Sequence, residues 1–321
     1  MLTLLIDTYN NTNGLQNVLE KIAMQAAGRD QIRILIIDDA SDCDIQDISA
    51  VVPESLRGQT DIRRNRYHLG YPAALTNMFT DCITKWCMPL NDRSELLEGA
   101  LDTILSDVEQ FNDDPFGLIQ YNTFGIRENI LDEYLFSDGL ESFCTNMLAL
   151  SEYGDAPMDD VQTMLTGFSN KVYNVNALSP FARYAYQHAG TFFPGYIAVL
   201  KALDCKNLLV LHHNLTLSTP QSLLEQIDIK TAVMGVTTLN SIDFKITRED
   251  KNRLIKCFAY NYMTVISDYI SGGLTDSEYL ENIYNSTYKY CLDEKGEAFV
   301  QKLVDLSKTG EDIMYLMDLL G

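Results

Sequence analysis

Lysine and arginine are scarce in this chain of 321 residues. They number 24, against 45 aspartates and glutamates, which leaves a formal net charge of −21. A surface that binds nucleic acid needs clustered basic side chains for the phosphates, and a patch that holds a protein on an anionic membrane needs them too. The composition therefore argues against a nucleic-acid partner and against a polybasic membrane anchor.

Paired cysteines and long apolar runs are also missing. The seven cysteines are an odd number, and no two are spaced C-x-x-C, which argues against a disulfide framework or a zinc knuckle and favours a reducing compartment. No apolar run reaches the roughly 18 residues of a membrane-spanning helix, and the first residues lack the basic start of a signal peptide. We expect a cytoplasmic protein without a transmembrane segment.

Glycine-rich phosphate loops are absent as well. No G-x-G-x-x-G follows the first apolar run, and G-x-x-x-x-G-K-[ST] occurs nowhere. A dinucleotide-binding fold and a P-loop are therefore disfavoured. Apolar residues nevertheless make up 46% of the chain, which is enough for a sizeable core.

The first 120 residues alternate between two periodicities. Continuous apolar runs, which are typical of strands buried on both faces of a parallel sheet, lie at residues 2–6 and 32–37, and further strands are predicted near 61–66, 86–90 and 116–121. Apolar residues at helical spacing separate them and predict helices at 13–26, 72–84 and 94–111, with Asn13 as the cap of the first. This alternation predicts an α/β fold with a mostly parallel, doubly wound sheet flanked by helices.

The rest of the chain is less regular. Segments 169–175 and 208–215 read as strands, and segment 192–203 reads as a helix with an early proline. After about residue 221 the pattern is helical, with long stretches at 251–270 and 275–290. We predict one α/β domain over residues 1–220 and a helical region packed on it over residues 221–321.

Polar residues gather where the predicted strands end. The first strand ends in Asp7-Thr8-Tyr9-Asn10, the second in Asp38-Asp39, and the fourth in Asn91-Asp92. Ligands of open parallel sheets bind beyond the carboxyl ends of the strands. The sequence therefore predicts a binding site at this edge.

Five segments, in order, carry a resemblance to a known family. They are LTLLIDTYNN, IRILIIDDASDCD, NRYHLGYPAALTN, WCMPLNDRSELLEGAL and FGLIQYN. Together they resemble the inverting glycosyltransferases of family 2, which have the GT-A fold and use nucleotide sugars. The match covers about 120 residues well, and it departs from the family at Asp7, where a proline is usual, and at Thr76, where many relatives have an arginine that helps hold the diphosphate.

The resemblance implies a nucleoside site at the first two strands. Asp39 would accept a hydrogen bond from a ring N–H of uracil or thymine, and Thr8 and Tyr9 would supply backbone contacts and an aromatic surface. The alternative for Asp39 is a cap of the following helix, although Asp38 or Ser41 can serve as that cap. The other residues that the resemblance places at the donor are Asn10, Asp38, Asn77 and Asn91.

The resemblance also implies a divalent cation, Mn²⁺ or Mg²⁺, at the turn after the fourth strand. Asp92 would ligate it, Asn91 would stand where a second carboxylate contacts ribose or metal, and His213 would complete the site. Hard oxygen ligands suit such cations. Two alternatives stay open: Asp92 or Ser94 merely caps a helix, and His213 is a hydrogen-bonded histidine of the core.

Inversion at a sugar carbon needs a general base for the acceptor hydroxyl. The family's carboxylate has no counterpart in YQHAGTFFPGYIAVLKAL, where His188 is the only base that titrates near neutrality. Asp159 and Asp160 in the preceding loop compete with it. The alternatives are a histidine at a helix C-terminus, favoured by the helix dipole, and a solvated acidic loop.

The leading hypothesis is a glycosyltransferase that moves a sugar from a nucleotide-sugar donor, UDP-linked, to a glycan or a lipid-linked glycan with inversion, as in bacterial surface polysaccharide synthesis. A lipid-linked acceptor would bring the protein to the periphery of a membrane. The alternative is a catalytically weak or inactive protein that binds nucleotide sugars or glycans on the same fold. A nucleotidyltransferase is disfavoured because TYNNTNG contains one glycine and no basic residue.

Overall fold

The computed structural model describes residues 1–26, 28–122, 134–153, 164–165, 169–191, 193–206, 208–216, 218–219, 229–258 and 285. The chain divides into two compact units, Met1–Leu223 and Leu224–Gly321.

The strands form one large sheet and a short ribbon. Within the described residues the strands are β1 Leu2–Thr8, β2 Ile32–Asp38, β3 Thr60–Arg64, β4 Trp86–Asn91, β5 Glu95–Leu96, β6 Phe116–Asn122, β7 Tyr134–Ser137, β8 Lys171–Asn174, β9 Leu209–Thr216 and β10 Ser218–Thr219. The sheet has the order β3-β2-β1-β4-β8-β6-β9-β7, and β5 pairs with β10 in the ribbon. The first four strands of that order are parallel, whereas β8 runs antiparallel to both of its neighbours. The predicted α/β fold with a mostly parallel sheet is confirmed.

Helices lie between the strands. Their bounds are α1 Thr12–Ala26, α2 Ile45–Ala50, α3 Tyr71–Ala74, α4 Met78–Asp81, α5 Ala100–Gln110, α6 Leu140–Tyr153, α7 Val175–Leu178, α8 Ala182–Gln187, α9 Pro194–Asp204, α10 Ile229–Ser241 and α11 Arg248–Phe258. The last two belong to the second unit and contact each other. Across the part of the chain that the structure describes, no helix combines the length and the apolar character needed to cross a membrane.

The core of the first unit explains why its central strands are so apolar. All seven residues of β1 are buried, because helices cover both faces of the sheet. On one face, Leu4 and Ile6 pack with the buried side of α1, where Leu19 and Ile22 point inward. Burial of this kind contributes about 25 cal/mol for each Å² of apolar surface removed from water. The core thus holds the carboxyl ends of the central strands in fixed positions.

The structure corrects three local predictions. The helix predicted at 94–111 begins only at Ala100, because residues 95–96 pair with β10 and Gly99 turns the chain with a φ of 78°. The helix predicted at 72–84 is divided into α3, a 3-10 turn and α4. Asn13 does not cap α1, which already begins at Thr12.

Gly14 ties the start of α1 to the turn after β4. A Cβ atom at Gly14 would lie 2.5 Å from the backbone carbonyl oxygen of Asp92 and would collide with the side chain of Asn11. Only glycine therefore lets α1 approach this turn so closely.

We expect Gly14→Ala to destabilise the protein by about 1–3 kcal/mol, because the backbone of the turn must move to admit the methyl group. Chemical denaturation of the variant would measure the loss. Gly58→Ala is the matched control, since nothing lies within 4 Å of a Cβ at Gly58. Equal stability of the two variants would contradict the close approach.

Candidate functional site

Three neighbouring strands end side by side at one edge of the sheet. In the parallel register Thr8 lies opposite Asp38, and Asp7 lies opposite Asn91. Two backbone bonds extend the pairing past the strand ends, from the Asp39 amide to the Thr8 carbonyl (2.9 Å) and from the Asp92 amide to the Asp7 carbonyl (3.0 Å). The structure thus brings together the polar residues that the sequence placed at this edge.

Asp39 is fully buried and holds the segment 65–70 in place. Its carboxylate accepts hydrogen bonds from the amides of Leu69 (3.0 Å) and Gly70 (2.8 Å) and from the side chain of Asn65 (2.7 Å). Asn77 donates in turn to the Asn65 side-chain oxygen at 3.2 Å. Asp39 and Asn77 are therefore joined through Asn65, a residue that the sequence did not single out.

The ring of Tyr9 is already covered by an aromatic partner. His68 stacks on it with ring centroids 3.8 Å apart and an interplanar angle of 25°. The same imidazole places Nδ1 2.9 Å from Oδ2 of Asp39, while about half of the His68 side chain stays exposed. His68 therefore lies between an aromatic face and a carboxylate.

Asp38 and Asn10 shape the backbone around this edge. The Asp38 carboxylate accepts from the Ser41 amide (3.0 Å) and forms an ion pair with Arg64. Asn10 is in a left-handed conformation with a φ of 51°. Its side-chain amide donates to the Asp42 carboxylate, and its side-chain oxygen accepts from the Asp42 backbone amide. Asp38 and Asn10 both lie at this edge, and their hydrogen bonds hold the loop that follows β2.

The turn after β4 presents one carboxylate. Asp92 is buried and its Oδ2 accepts from the Thr8 hydroxyl at 2.9 Å. Burial raises the pKa of Asp92, and hydrogen bonds from Asn11, Thr8 and the Tyr9 amide oppose that shift. The Asn91 side-chain oxygen accepts from the Arg93 amide (2.9 Å) and from the Ser94 hydroxyl (3.1 Å), and these bonds close the turn.

Asp7 differs from the other carboxylates of the edge. It is 6% exposed, and its buried Oδ1 has no hydrogen-bond partner in the structure. Burial raises the pKa of Asp7 well above its usual range, and the charges of Asp39, Asp92 and Asp38 raise it further. Three other carboxylates, at the ends of β2 and β4, therefore lie within electrostatic range of Asp7. The sequence placed Asp7 at this strand end and as a departure from the family pattern, but gave it no role of its own.

His213 is not brought to the turn that carries Asp92. It lies on β9, three strands from β4 in the sheet, which is about 14 Å at the usual strand spacing. Its ring stacks on Tyr121 with centroids 5.4 Å apart, and its Nε2 is 3.7 Å from Oδ2 of the buried Asp107. This placement favours the alternative of a core histidine, and the role of His213 as a metal ligand stays a prediction.

The candidate bases lie away from the strand ends or outside the described residues. His188 follows α8 as its C-terminal cap, and partial burial lowers the pKa of its imidazole. The neighbouring Tyr186 hydroxyl approaches the Thr76 carbonyl at 3.5 Å, which places α8 beside the segment 75–77. Asp159 and Asp160 lie outside the described residues. The role of each as a base stays a prediction.

A metal at this edge would need ligands beyond the protein. Within the described ranges, no three side chains of His, Cys, Asp or Glu are grouped so as to hold a cation. The donor set nevertheless fits a hard divalent cation, because carboxylate oxygens are abundant and Oδ1 of Asp7 is buried without a donor. The oxygens of a bound diphosphate would supply the missing ligands.

No family model matches the sequence, and no curated protein does. Solved structures do match the fold. S. aureus TarS 1-349 in complex with UDP-GlcNAc is 8% identical, with 97% of this chain and 93% of that chain covered and a TM-score of 0.55. The mannosyltransferase PcManGT from Pyrobaculum calidifontis, in complex with GDP-Man and Mn²⁺, is 11% identical over 96% and 86% of the two chains, with a TM-score of 0.50. At such identities the likeness is one of fold.

His212, the neighbour of His213, is buried in a different environment. It is fully buried on β9, and neither ring nitrogen has a hydrogen-bond partner. Burial and the nearby charge of Lys171 lower the pKa of His212 to about 3. The imidazole is therefore neutral in the folded protein down to acidic pH.

We expect His212 to make the protein acid-sensitive. Below pH 6.5, the usual pKa of histidine, the His212 imidazole is protonated in the unfolded chain. In the folded chain it takes up a proton only at about pH 3. The free energy of unfolding should therefore fall with decreasing pH, by at most about 1.4 kcal/mol per pH unit in that window. Denaturant titrations of native protein and His212→Leu between pH 7 and 4 should give the variant the smaller slope. An unchanged slope would mean that His212 is protonated in the fold.

Proposed function

We propose that the protein is an inverting glycosyltransferase, of the kind grouped in family 2, that moves a sugar from a UDP-linked donor to a glycan or lipid-linked glycan. One observation carries the proposal: Thr8, Asp39 and Asp92, from three neighbouring strands, meet at the edge where open α/β sheets bind ligands. The fold shared with proteins solved with UDP-GlcNAc and GDP-Man supports it.

The nucleoside would lie over β1 and β2. Tyr9 offers an aromatic face and is 40% exposed, while Asp39 offers carboxylate oxygens beside it. A uracil N–H can donate to such an oxygen. Because Asp39 already accepts from His68, the base would displace that imidazole and take over its two contacts.

The diphosphate would lie towards the turn after β4. A divalent cation, when bound there, offsets the charge on the departing nucleoside diphosphate. Asp92 is the residue at this turn that would ligate it, and the Thr8 hydroxyl and the Asn11 side chain hold its carboxylate in place. Asn91 keeps the turn closed through its own side-chain oxygen.

The acceptor hydroxyl must lose a proton as the sugar is transferred. We keep His188 as the candidate base, with Asp159 and Asp160 as competitors. The lowered pKa of His188 favours the neutral imidazole that can take up a proton. Its helix lies beside the segment 75–77, next to Asn77, which the resemblance places at the donor.

A protein that binds a nucleotide sugar without turning it over is the second candidate. The observation that favours it is the start of α9, where the first turn contains proline, glycine and tyrosine and no acidic residue. The family would have its catalytic carboxylate near this helix. Turnover of nucleotide sugars with and without Mn²⁺ separates the two candidates, because a binding protein releases no UDP.

We expect metal and UDP to tighten each other's binding, and Asp92→Asn to remove this coupling. The coupling factor should fall in the usual range of about 5–150-fold. Asparagine caps helices about as well as aspartate and can accept from Thr8, so the turn should persist in the variant. Calorimetric titration of UDP with and without Mn²⁺ measures the effect.

Asp61→Asn, an exposed substitution on β3, is the control and should keep the coupling. If the native protein shows no coupling, or if Asp92→Asn retains it, the turn does not bind metal. UDP affinity without metal would then decide whether a nucleotide site exists at all.

We expect His68→Ala to bind UDP more tightly than the native protein does. The imidazole stacks where the base would lie, so its removal spares the cost of displacing it, on the order of 0.5–1.5 kcal/mol for an aromatic pair. Tyr67→Ala is the control, because Tyr67 is 64% exposed on the same segment. Weaker binding by His68→Ala would show that His68 contacts the nucleotide directly instead.

A further inference from the structure

Three of the four carboxylates at the edge are engaged by donors of the chain itself. Asp38 accepts from Ser41 and Arg64. Asp39 accepts from the segment 65–70, and Asp92 accepts from Thr8. Their positions are explained by the loops that they hold.

Asp7 has no such explanation. Its buried Oδ1 has no donor, and the described residues give it no ion pair. A buried carboxylate oxygen that is left without a hydrogen bond is costly, and such a group in a folded protein needs a cause, for which an absent ion is one candidate. Three like charges nearby increase that cost.

The alternation of side chains along β1 fixes the face of the sheet on which Asp7 lies. Along β1 it falls on the same face as Leu5, which pairs with Pro89 of β4. Pro89 and Tyr173 line a cavity between this face and α9. The charges of Asp7 and Asp92 both raise the pKa of the buried Tyr71 hydroxyl, so both carboxylates lie near that hydroxyl.

Asn91 cannot supply the second carboxylate of the turn, and its amide oxygen is already used within the turn. Asp7 is its direct partner in the parallel register, and the Asp92 amide donates to the Asp7 backbone carbonyl at 3.0 Å. A carboxylate on β1 therefore stands next to the position at which β4 lacks one.

We propose that Asp7, together with Asp92, binds the divalent cation that accompanies the nucleoside diphosphate. The carboxylate pair comes from two adjacent strands rather than from one turn. The inference rests on the proposed function, because diphosphate oxygens complete the coordination sphere. Two carboxylates without a third ligand from the described residues bind the cation weakly until the nucleotide arrives.

The test measures two quantities. Mn²⁺ binding is measured from the loss of the electron paramagnetic resonance signal of free Mn²⁺, and UDP affinity is measured by calorimetry with and without Mn²⁺. Asp7→Asn should weaken Mn²⁺ binding in the presence of UDP by about tenfold or more and should lose the Mn²⁺-dependent gain in UDP affinity. Its affinity for UDP without metal should stay at the native value. Asp107→Asn, which alters a buried carboxylate on α5 that accepts from Tyr121 at 2.8 Å, is the matched control and should behave like the native protein.

Asp7→Cys adds a readout that a purely structural role would not move. A thiolate prefers softer metals to Mn²⁺. In this variant Mn²⁺ should therefore no longer tighten UDP binding, whereas Cd²⁺ should. The gain in UDP affinity with Cd²⁺ should be larger for Asp7→Cys than for the native protein. The melting temperature of Asp7→Asn without ligands should not fall below the native value, because burial and the neighbouring carboxylates oppose a negative charge at this position.

The outcomes separate the two proposals. If Asp7→Asn keeps the full effect of Mn²⁺ on UDP binding, the inference is overturned and the proposed function stands. If the native protein binds no UDP with or without Mn²⁺, the proposed function fails and the inference fails with it. If Asp7→Asn melts far below the native protein and Asp7→Cys gains no coupling with Cd²⁺, Asp7 is structural.

Discussion

The parallel pairing of β1 with β2 on one side and β4 on the other is the constraint on which the site depends. It places Thr8 opposite Asp38 and Asp7 opposite Asn91 in the sheet. The loops that follow must then satisfy several buried carboxylates within a small volume. The hydrogen bonds of Ser41, Asn65, Leu69 and Gly70 are the means by which the chain does so.

Asp39 illustrates what these bonds mean for ligand binding. Its carboxylate organises the segment 65–70 without a nucleotide, so that segment is held in place before any ligand arrives. Preorganisation of this kind lowers the entropic cost of binding. The contact between Asp39 and His68 is not held in place in this way. The imidazole is half exposed and stacks on Tyr9, so it can be displaced without breaking the backbone hydrogen bonds to Asp39.

The sequence was sufficient for the features that depend on burial alone. Strands such as β1 and β2 are continuous apolar runs because both faces are covered, and the edge followed from where those runs turn polar. Pairing between strands that are distant in sequence could not be predicted. Residues 95–96 have the pattern of a helix, yet they pair with Ser218 and Thr219. The same holds for β8, which enters the sheet antiparallel between β4 and β6.

Some features of the candidate site were predictable from the sequence, and others were not. Asp39 and Asp92 were predicted at the edge from strand ends and from the resemblance. The stacking of His68 on Tyr9, the isolation of Asp7 and the distance of His213 from Asp92 depend on how strands and loops are arranged in space. No local pattern around His213 distinguishes a ligand from a core histidine that packs on Tyr121 and Asp107.

The position of β8 has a consequence for dissecting the protein. All five segments that resemble the family lie within residues 1–122, which suggests a small unit that folds by itself. In the structure, however, β4 pairs with β8 through Trp86 and Cys87, and β8 lies more than 40 residues beyond that segment. A fragment that ended at residue 122 would expose the apolar edge of β4, and an unpaired edge of this kind recruits other chains and aggregates. The segment that carries the recognisable motifs is therefore not the segment that can be made on its own.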